Sequence, residues 1–300
     1  MDGGCFGCFS GLLGALGVPG VRRAPSSVRV AAVQCSSQMG SADAIEENAD
    51  KMERLARRAA AKGAQIIVFP EAALTGYTSQ PFLHNWHTPQ RKLAPRFAGI
   101  NPAKVVPTVD SPIVRRFVDL AQELGVYLTI PFVEEVLHPS RHFFNTVCLA
   151  SPGGKIVVHY RKTHLWDFVD GSWADRGDGP GMYDSEFGRI GLGICFDIHR
   201  LAELYKGKDL WALLYSVAWV GHRTDGPTER WFRKDLPETY LGTEGGLPCF
   251  VVAANWSTER EYSWDGAGYS SIYGPDGQRL AFLDLEIGDN ILYQDIPCRP

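Results

Sequence analysis

Three short apolar segments of this chain each end in a reactive side chain, and this pattern constrains the fold more than any other feature. Each segment has the length and composition of a buried β-strand. The side chains that follow are a carboxylate, an ammonium and a thiol, which could act as a base, a charge stabiliser and a nucleophile in the hydrolysis of an acyl bond. The segments are residues 66–69 before Pro70 and Glu71, 156–161 before Lys162, and 189–194 before Cys195.

The rest of the chain alternates between strand-like and helix-like patterns, which predicts an α/β fold with mixed sheets. We predict a flexible leader at residues 1–27 and a single domain at 28–300. Two irregular stretches, 75–110 and 166–183, follow candidate catalytic residues and are predicted to form walls of a pocket. Predicted strands are 28–35, 65–69, 126–132, 143–151, 155–162, 188–195, 210–220 and 247–255; predicted helices are 42–62 and one opened by Ser111 as its cap and Pro112.

Composition narrows the class of partner and compartment. The net charge of −4 gives no basic excess, so neither nucleic acid nor a membrane surface is an expected partner. Seven cysteines at ordinary spacings favour a reducing compartment, which we take to be the cytoplasm. Cys5 and Cys8 form one isolated pair, and the proposed chemistry needs no metal or other cofactor, so we predict neither.

Cys195 differs from the other cysteines of the apolar strands because the strand pattern breaks directly after it. Cys35, Cys148 and Cys249 lie within apolar runs and read as buried structural thiols. A thiol at a turn into a helix is accessible, and the helix N-terminus is expected to lower its pKa. The sequence therefore predicts that Cys195 is a nucleophile.

Together the three motifs resemble the Glu-Lys-Cys triad of the nitrilase superfamily, the carbon–nitrogen hydrolases. The resemblance implies a four-layer αββα sandwich and a homodimer or higher homo-oligomer. It also implies roles: Glu71 as general base, Cys195 as nucleophile, and Lys162 with the backbone N–H of Phe196 as oxyanion stabilisers. A second catalytic glutamate is expected at Glu134, with Glu135 as its alternative.

The residues after the nucleophile bear on the branch of the family. Cys195-Phe196-Asp197 favours amide over nitrile hydrolysis, and together with residues 215–219 it has some likeness to the vanin and biotinidase branch. His199 departs from the amidase pattern, in which an arginine follows, and Arg200 is a possible substitute as a carboxylate clamp. We therefore predict a hydrolase of linear amides acting through a thioester.

Several alternatives remain open. They are a carbamoyl-amide hydrolase or an ω-amidase, with a nitrilase, an acyltransferase and an inactive scaffold ranked below them. The expected partners are a small amide substrate and water. An aromatic pocket is predicted from Tyr77, Trp166, His199 and Trp219, and it favours an elongated or apolar acyl group.

Overall fold

A computed structural model of the chain describes residues 1, 25–38, 42–76, 107–137, 139–140, 142–166, 170–219, 229–242, 244–257, 266–284 and 288–299. Most of the predicted leader and of the loop 75–110, including Tyr77, lies outside these residues. The division into a leader and one domain therefore stays a prediction. None of the described helices is long and apolar enough to cross a membrane.

Twelve strands form two six-stranded sheets among the described residues. The first sheet has the order β12-β1-β2-β3-β4-β5 and the second the order β11-β10-β9-β8-β7-β6. The strands are β1 (Ser27–Gln34), β2 (Ile66–Val68), β3 (Tyr127–Val136), β4 (His142–Ala150), β5 (Ile156–Arg161), β6 (Met182–Ser185), β7 (Gly188–Ile194), β8 (Ala212–Ser216), β9 (Phe250–Ala254), β10 (Ser271–Tyr273), β11 (Arg279–Phe282) and β12 (Asn290–Pro297).

Both sheets are mixed, as the sequence predicts. β1, β2 and β3 are parallel, and so are β7, β8 and β9, whereas the remaining neighbours are antiparallel. Parallel neighbours need a crossover connection, and the described part of the chain has four α-helices between strands. They are α1 (Ala42–Ala61), α2 (Pro112–Leu124), α3 (Ile198–Leu204) and α4 (Leu236–Tyr240).

The strand residues alternate between two hydrophobic layers. In the first sheet, Ala31, Ile67 and Leu128 pack with α1 and α2, while Val30 and Ile66 face the second sheet. Residues of α3 and α4 cover the far face of the second sheet. This order of layers is an αββα sandwich, and the period of two along each strand assigns every side chain to one layer.

Some local predictions need correction. Ser111 precedes α2 in extended conformation, at the position predicted for the cap. Its hydroxyl makes no capping hydrogen bond, so the predicted side-chain cap is wrong. The helix ends at Gly125, whose φ of 66° suits a left-handed terminus. The predicted strand 210–220 is shorter, Ala212–Ser216, because the following residues turn into the site described next.

Candidate active site

The three predicted residues follow strands of both sheets. Glu71 follows β2 and Lys162 follows β5 in the first sheet, while Cys195 follows β7 in the second. Several hydrogen bonds join the sheets at this edge. Among them, Ser216 Oγ donates to Phe69 O at 2.8 Å, and Glu71 N donates to Val217 O at 3.3 Å. The facing sheets thus bring together side chains that are far apart in sequence.

Glu71 is almost fully buried, with 1% of its surface exposed, and hydrogen bonds fix both carboxylate oxygens. Its Oε1 accepts from Lys162 Nζ at 2.9 Å and from Asn145 Nδ2 at 2.7 Å. Its Oε2 accepts from the backbone N–H of Ala218 at 3.0 Å, and Trp256 Nε1 donates to its main-chain oxygen at 2.8 Å. The carboxylate is therefore held in one orientation before any substrate binds.

Lys162 has a second carboxylate partner that the sequence analysis missed. Its Nζ donates to Asp170 Oδ2 at 2.6 Å, and both side chains are buried. Asn145 Nδ2 also donates to Asp170, at 3.2 Å, so one amide bridges Asp170 and Glu71. Asp170 lies in the stretch predicted to form a pocket wall, and the available signal in the sequence was an acidic residue in that stretch.

The segment that carries Asp170 packs against the end of β5. The N–H of Trp166 donates to Asp170 Oδ2 at 3.0 Å, and the N–H of Gly177 donates to Lys162 O at 2.9 Å. A Cβ at Gly177 would collide with the main-chain carbonyl of Arg161, so this close approach requires glycine. Lys162 is consequently enclosed by its own strand and this segment.

Glu134, the expected second catalytic glutamate, faces the other way. It lies on β3 two residues after Phe132, which packs in the helix layer. Its carboxylate accepts from Thr146 Oγ1 (2.8 Å), His159 Nε2 (2.9 Å) and Arg161 Nε (2.9 Å). Lys162 follows Arg161 directly and so takes the opposite face.

The structure therefore does not bring Glu134 to Lys162 and Cys195, because residue parity sends its side chain toward the helix layer. By the same alternation along β3, Glu135 lies on the face that is turned toward the second sheet. The second carboxylate on Lys162 is that of Asp170.

Cys195 sits on a strained turn. β7 ends at Ile194, Cys195 has a φ of 39°, and residues 195–197 form one turn of 3-10 helix before α3. A positive φ is unfavourable for a residue with a Cβ and persists only where surrounding contacts impose it. Tyr215 OH donates to Cys195 O at 2.6 Å and is one such contact.

The thiol environment differs from the expectation that the helix terminus would lower its pKa. Burial, and then the charge of Glu71, raise the pKa of Cys195 well above its ordinary value, while Lys162 and the N–H of Ala218 oppose this. Burial also raises the pKa of Glu71. Although burial lowers the pKa of Lys162, Asp170 and Glu71 more than offset it, so the ammonium stays charged. The surroundings of Cys195 therefore favour the neutral thiol over the thiolate.

Aromatic rings line the region around Cys195. Phe196 stacks on His164 with 5.1 Å between ring centroids, lies 6.2 Å from Trp166, and meets His199 edge-on at 4.6 Å. Trp219 follows Ala218, whose N–H binds Glu71, and stacks on Trp231 at 5.0 Å. We call this set the aromatic wall: His164, Trp166, Phe196, His199, Trp219, Trp231 and Tyr240.

His199 and Arg200 carry little positive charge into this wall. Burial, followed by the charges of His164 and Arg200, lowers the pKa of His199, and its Nδ1 lies 2.7 Å from Tyr240 OH. Arg200 is 63% exposed and contacts Glu203 at 3.4 Å. Of the predicted pocket residues, Trp166, His199 and Trp219 are thus brought together, while Tyr77 is outside the described residues.

No cluster of three or more histidine, cysteine, aspartate or glutamate side chains suited to a metal ion occurs in the described part of the chain. What the site does contain is a buried network of two carboxylates, an ammonium and an amide beside a strained cysteine. Such a set can transfer a proton, form a covalent acyl adduct and stabilise negative charge.

Comparison with known proteins gives concordant matches. The carbon–nitrogen hydrolase family model matches residues 29–298. The chain is 27% identical over 260 residues to omega-amidase NIT2 of Xenopus tropicalis, covering 83% of each chain. It is 26% identical over 250 residues to the human omega-amidase NIT2, covering 80% of this chain and 79% of the relative.

Solved structures share the fold. A cysteine-to-alanine mutant of an amidase from Nesterenkonia AN1, described as a member of the nitrilase superfamily, superposes with a TM-score of 0.70 at 20% identity, covering 93% of this chain and 94% of that one. A second mutant of that amidase, which carries the acetamide moiety of fluoroacetamide on its active-site cysteine, gives a TM-score of 0.70 at 21% identity, with 93% of each chain covered. The predicted four-layer sandwich is confirmed.

Proposed function

The chain belongs to the carbon–nitrogen hydrolase family, and within it we propose that Glu71, Lys162 and Cys195 hydrolyse small linear amides through a thioester on Cys195. The predicted resemblance to the nitrilase superfamily and the predicted amidohydrolase activity are confirmed by this match and the amidase relatives. The roles of individual residues are our proposal. The observation that carries them is the hydrogen-bonded network of Glu71, Lys162, Asn145 and Asp170 next to a cysteine at positive φ.

In the acylation step, Glu71 accepts the thiol proton as the Cys195 sulfur attacks the substrate carbonyl carbon. The carbonyl π electrons move to oxygen, which gives a tetrahedral intermediate. Glu71 then delivers the proton to the leaving nitrogen, the C–N bond breaks, and ammonia or an amine departs. Burial suits Glu71 to this task because it raises the pKa of the carboxyl and makes the carboxylate a stronger base.

In the deacylation step, the same carboxylate accepts a proton from water. The resulting hydroxide attacks the thioester carbon, the C–S bond breaks, and the thiolate recovers the proton from Glu71. The acid product leaves, and the enzyme returns to its starting state with no cofactor consumed. One base thus serves both halves of the reaction.

Negative charge on the carbonyl oxygen needs donors that are already in place. Lys162 is charged and held by Glu71 and Asp170. The backbone N–H of Phe196 lies in the first turn of the 3-10 helix, where amides have no partner within the helix. We assign these two groups to the oxyanion, while Asp170 and Asn145 orient Lys162 and Glu71.

The aromatic wall favours an apolar or elongated acyl group. Phe196 follows the nucleophile, Trp219 follows Ala218, and the N–H of Trp166 binds Asp170, so three rings adjoin groups of the reaction centre. Apolar rings stabilise an apolar substrate, whereas a free carboxylate in such surroundings would need a cation.

The second candidate is hydrolysis of the amide of a dicarboxylate monoamide, an ω-amidase reaction. The names of the curated relatives favour it. Arg200, the clamp considered from the sequence, is turned to solvent and paired with Glu203. We therefore rank the ω-amidase reaction below the hydrolysis of an apolar amide. Assembly into a homodimer also stays a prediction.

The proposal is tested by trapping the acyl-enzyme with Glu71→Gln. Glutamine keeps the shape of Glu71 but cannot take a proton, so we expect slow acylation and slow release of the acid. Intact-protein mass spectrometry after mixing with an amide should give a persistent adduct that maps to Cys195. Glu123→Gln, which alters an exposed glutamate paired with Arg57, is the matched control and should turn over normally. Normal turnover by Glu71→Gln would remove Glu71 from the mechanism.

A further inference from the structure

Asp197 is a buried carboxylate next to the reaction centre that the mechanism above does not use. None of its surface is exposed, and it lies two residues after Cys195. Oδ1 accepts from Thr163 N at 3.1 Å, Thr163 Oγ1 at 3.2 Å and His164 N at 2.7 Å. Oδ2 accepts from Tyr160 OH at 2.8 Å and Ile194 N at 3.1 Å.

These donors come from two separate parts of the chain. Ile194 is the last residue of β7 and immediately precedes the nucleophile. Tyr160 lies on β5 of the first sheet, and Thr163 and His164 come after the end of that strand, so the three residues flank Lys162 on both sides. One carboxylate therefore joins the backbone that carries the nucleophile to the backbone that carries the charged lysine.

We propose that Asp197 is a positioning residue that sets the distance between the Cys195 thiol and the Lys162 ammonium. This role rests on the proposed function of the two residues. Neither main-chain segment can shift along the other without breaking hydrogen bonds to a buried charge, which are stronger than those between neutral groups. The bond from His164 N also places the imidazole against the Phe196 ring, so the same carboxylate orders part of the aromatic wall.

The charge state of Asp197 agrees with this role. Burial raises its pKa to about 6, while Lys162 and the hydrogen bonds from His164, Tyr160 and Ile194 oppose the increase. The carboxyl is thus ionised at neutral pH and can accept hydrogen bonds at both oxygens. It also raises the pKa of Lys162, after the larger effects of Asp170 and Glu71.

Asp197→Asn separates positioning from simple removal of charge. Asparagine can accept on one side only, so its NH2 group must face either the Tyr160 and Ile194 donors or the Thr163 and His164 donors. Loss of a negative charge alone would make the nearby thiol easier to ionise and speed its alkylation. Loss of position moves Lys162 away from the sulfur and slows alkylation. The two explanations predict opposite signs.

The experiment compares wild type, Asp197→Asn and Asp184→Asn. The matched control is Asp184, an exposed aspartate on β6 that is paired with Arg189 on the neighbouring strand β7. β7 is the strand that precedes the nucleophile. The first measurement is the pH profile of Cys195 alkylation by chloroacetamide. The second is the steady-state hydrolysis of a simple amide, which gives KM and, when normalised to the titrated active-site thiol, kcat. For Asp197→Asn we expect slower alkylation at every pH, kcat lower by about 100-fold and little change in KM. The control should match wild type.

Faster alkylation by Asp197→Asn, or a normal kcat per titrated thiol, would overturn the positioning role. If Asp197→Asn does not fold, Tyr160→Phe removes a single donor to Oδ2 and should produce smaller changes in the same direction; unchanged kcat and alkylation would again reject the proposal. Failure of the proposed function is distinguishable, since wild type would then form no acyl adduct while alkylation could still respond to Asp197.

Discussion

Lys162 Nζ and Asp170 Oδ2 lie 2.6 Å apart in a buried contact, and this ion pair places the second acid of the site on a different residue from the one expected. Glu134 instead binds Arg161 and His159 on the opposite face of the first sheet. The two acids can therefore be separated by mutation, one acting on chemistry and the other on stability.

Asp170→Asn should lower kcat by about 100-fold, because the Lys162 ammonium loses one of its two anionic partners and the network around Glu71 reorganises. Glu134→Gln should keep kcat per folded molecule close to the wild-type value. Steady-state assays normalised to titrated Cys195 thiol measure both. A large loss of kcat in the glutamine variant with Asp170→Asn nearly normal would reverse the assignment.

Glu134 should contribute to stability in a pH-dependent way. Although burial raises its pKa, hydrogen bonds from His159 and Arg161 lower it to about 2. The folded state then binds the proton less tightly than the unfolded state, so the contribution is complete above the ordinary glutamate pKa and is lost as pH falls toward 2. We expect the ionised Glu134 carboxylate to contribute up to about 2–3 kcal/mol to the free energy of unfolding.

Urea denaturation of wild type and Glu134→Gln between neutral and acidic pH measures this contribution of Glu134 to stability. The difference in unfolding free energy should shrink as the pH falls. Glu123→Gln, which alters an exposed ion pair with Arg57, should change stability little at any pH. A pH-independent difference for Glu134→Gln would mean that its role is packing and not charge.

The positive φ of Cys195 predicts a distinctive stability series. Cys195→Ala and Cys195→Ser should abolish turnover and leave the fold intact, since the thiol is the proposed nucleophile and the backbone contacts remain. Cys195→Gly should be equally inactive but more stable than Cys195→Ala, because glycine adopts a φ of 39° without the Cβ penalty. Circular dichroism and chemical denaturation test this. Residual turnover by Cys195→Ala beyond a trace would contradict the thioester mechanism.

The aromatic wall predicts a substrate ranking. kcat/KM for a bulky amide such as phenylacetamide should exceed that for glutaramate or succinamate. Trp219→Ala should lower the value for phenylacetamide by about tenfold or more while changing that for acetamide less, because only the larger acyl group reaches the ring. Arg200→Ala, a change at the exposed Glu203 pair, should leave the ranking unaltered. The reverse ranking, with glutaramate lost in Arg200→Ala, would support the ω-amidase alternative.

Local sequence patterns are enough to predict the alternation of strands and helices and the positions of Glu71, Lys162 and Cys195 at strand ends. These features are local: an apolar run of strand length ends where a polar residue follows, and neighbouring residues suffice to recognise it. The shared edge of the two sheets then brings the three residues together: Lys162 donates a hydrogen bond to Glu71, and the charges of both act on the Cys195 thiol.

The other residues that complete the site depend on packing between segments far apart in the chain, so the sequence did not predict them. Glu134 and Asp170 are both acids in suitable segments, but strand parity turns one toward the helices and a packed turn brings the other onto Lys162. The direction of the Cys195 pKa shift also depends on its partial burial where the two sheets meet and on the carboxylate of Glu71, which follows a strand of the other sheet. The electrostatic environment of a buried group comes from what packs around it, and those neighbours are set by contacts across the whole fold.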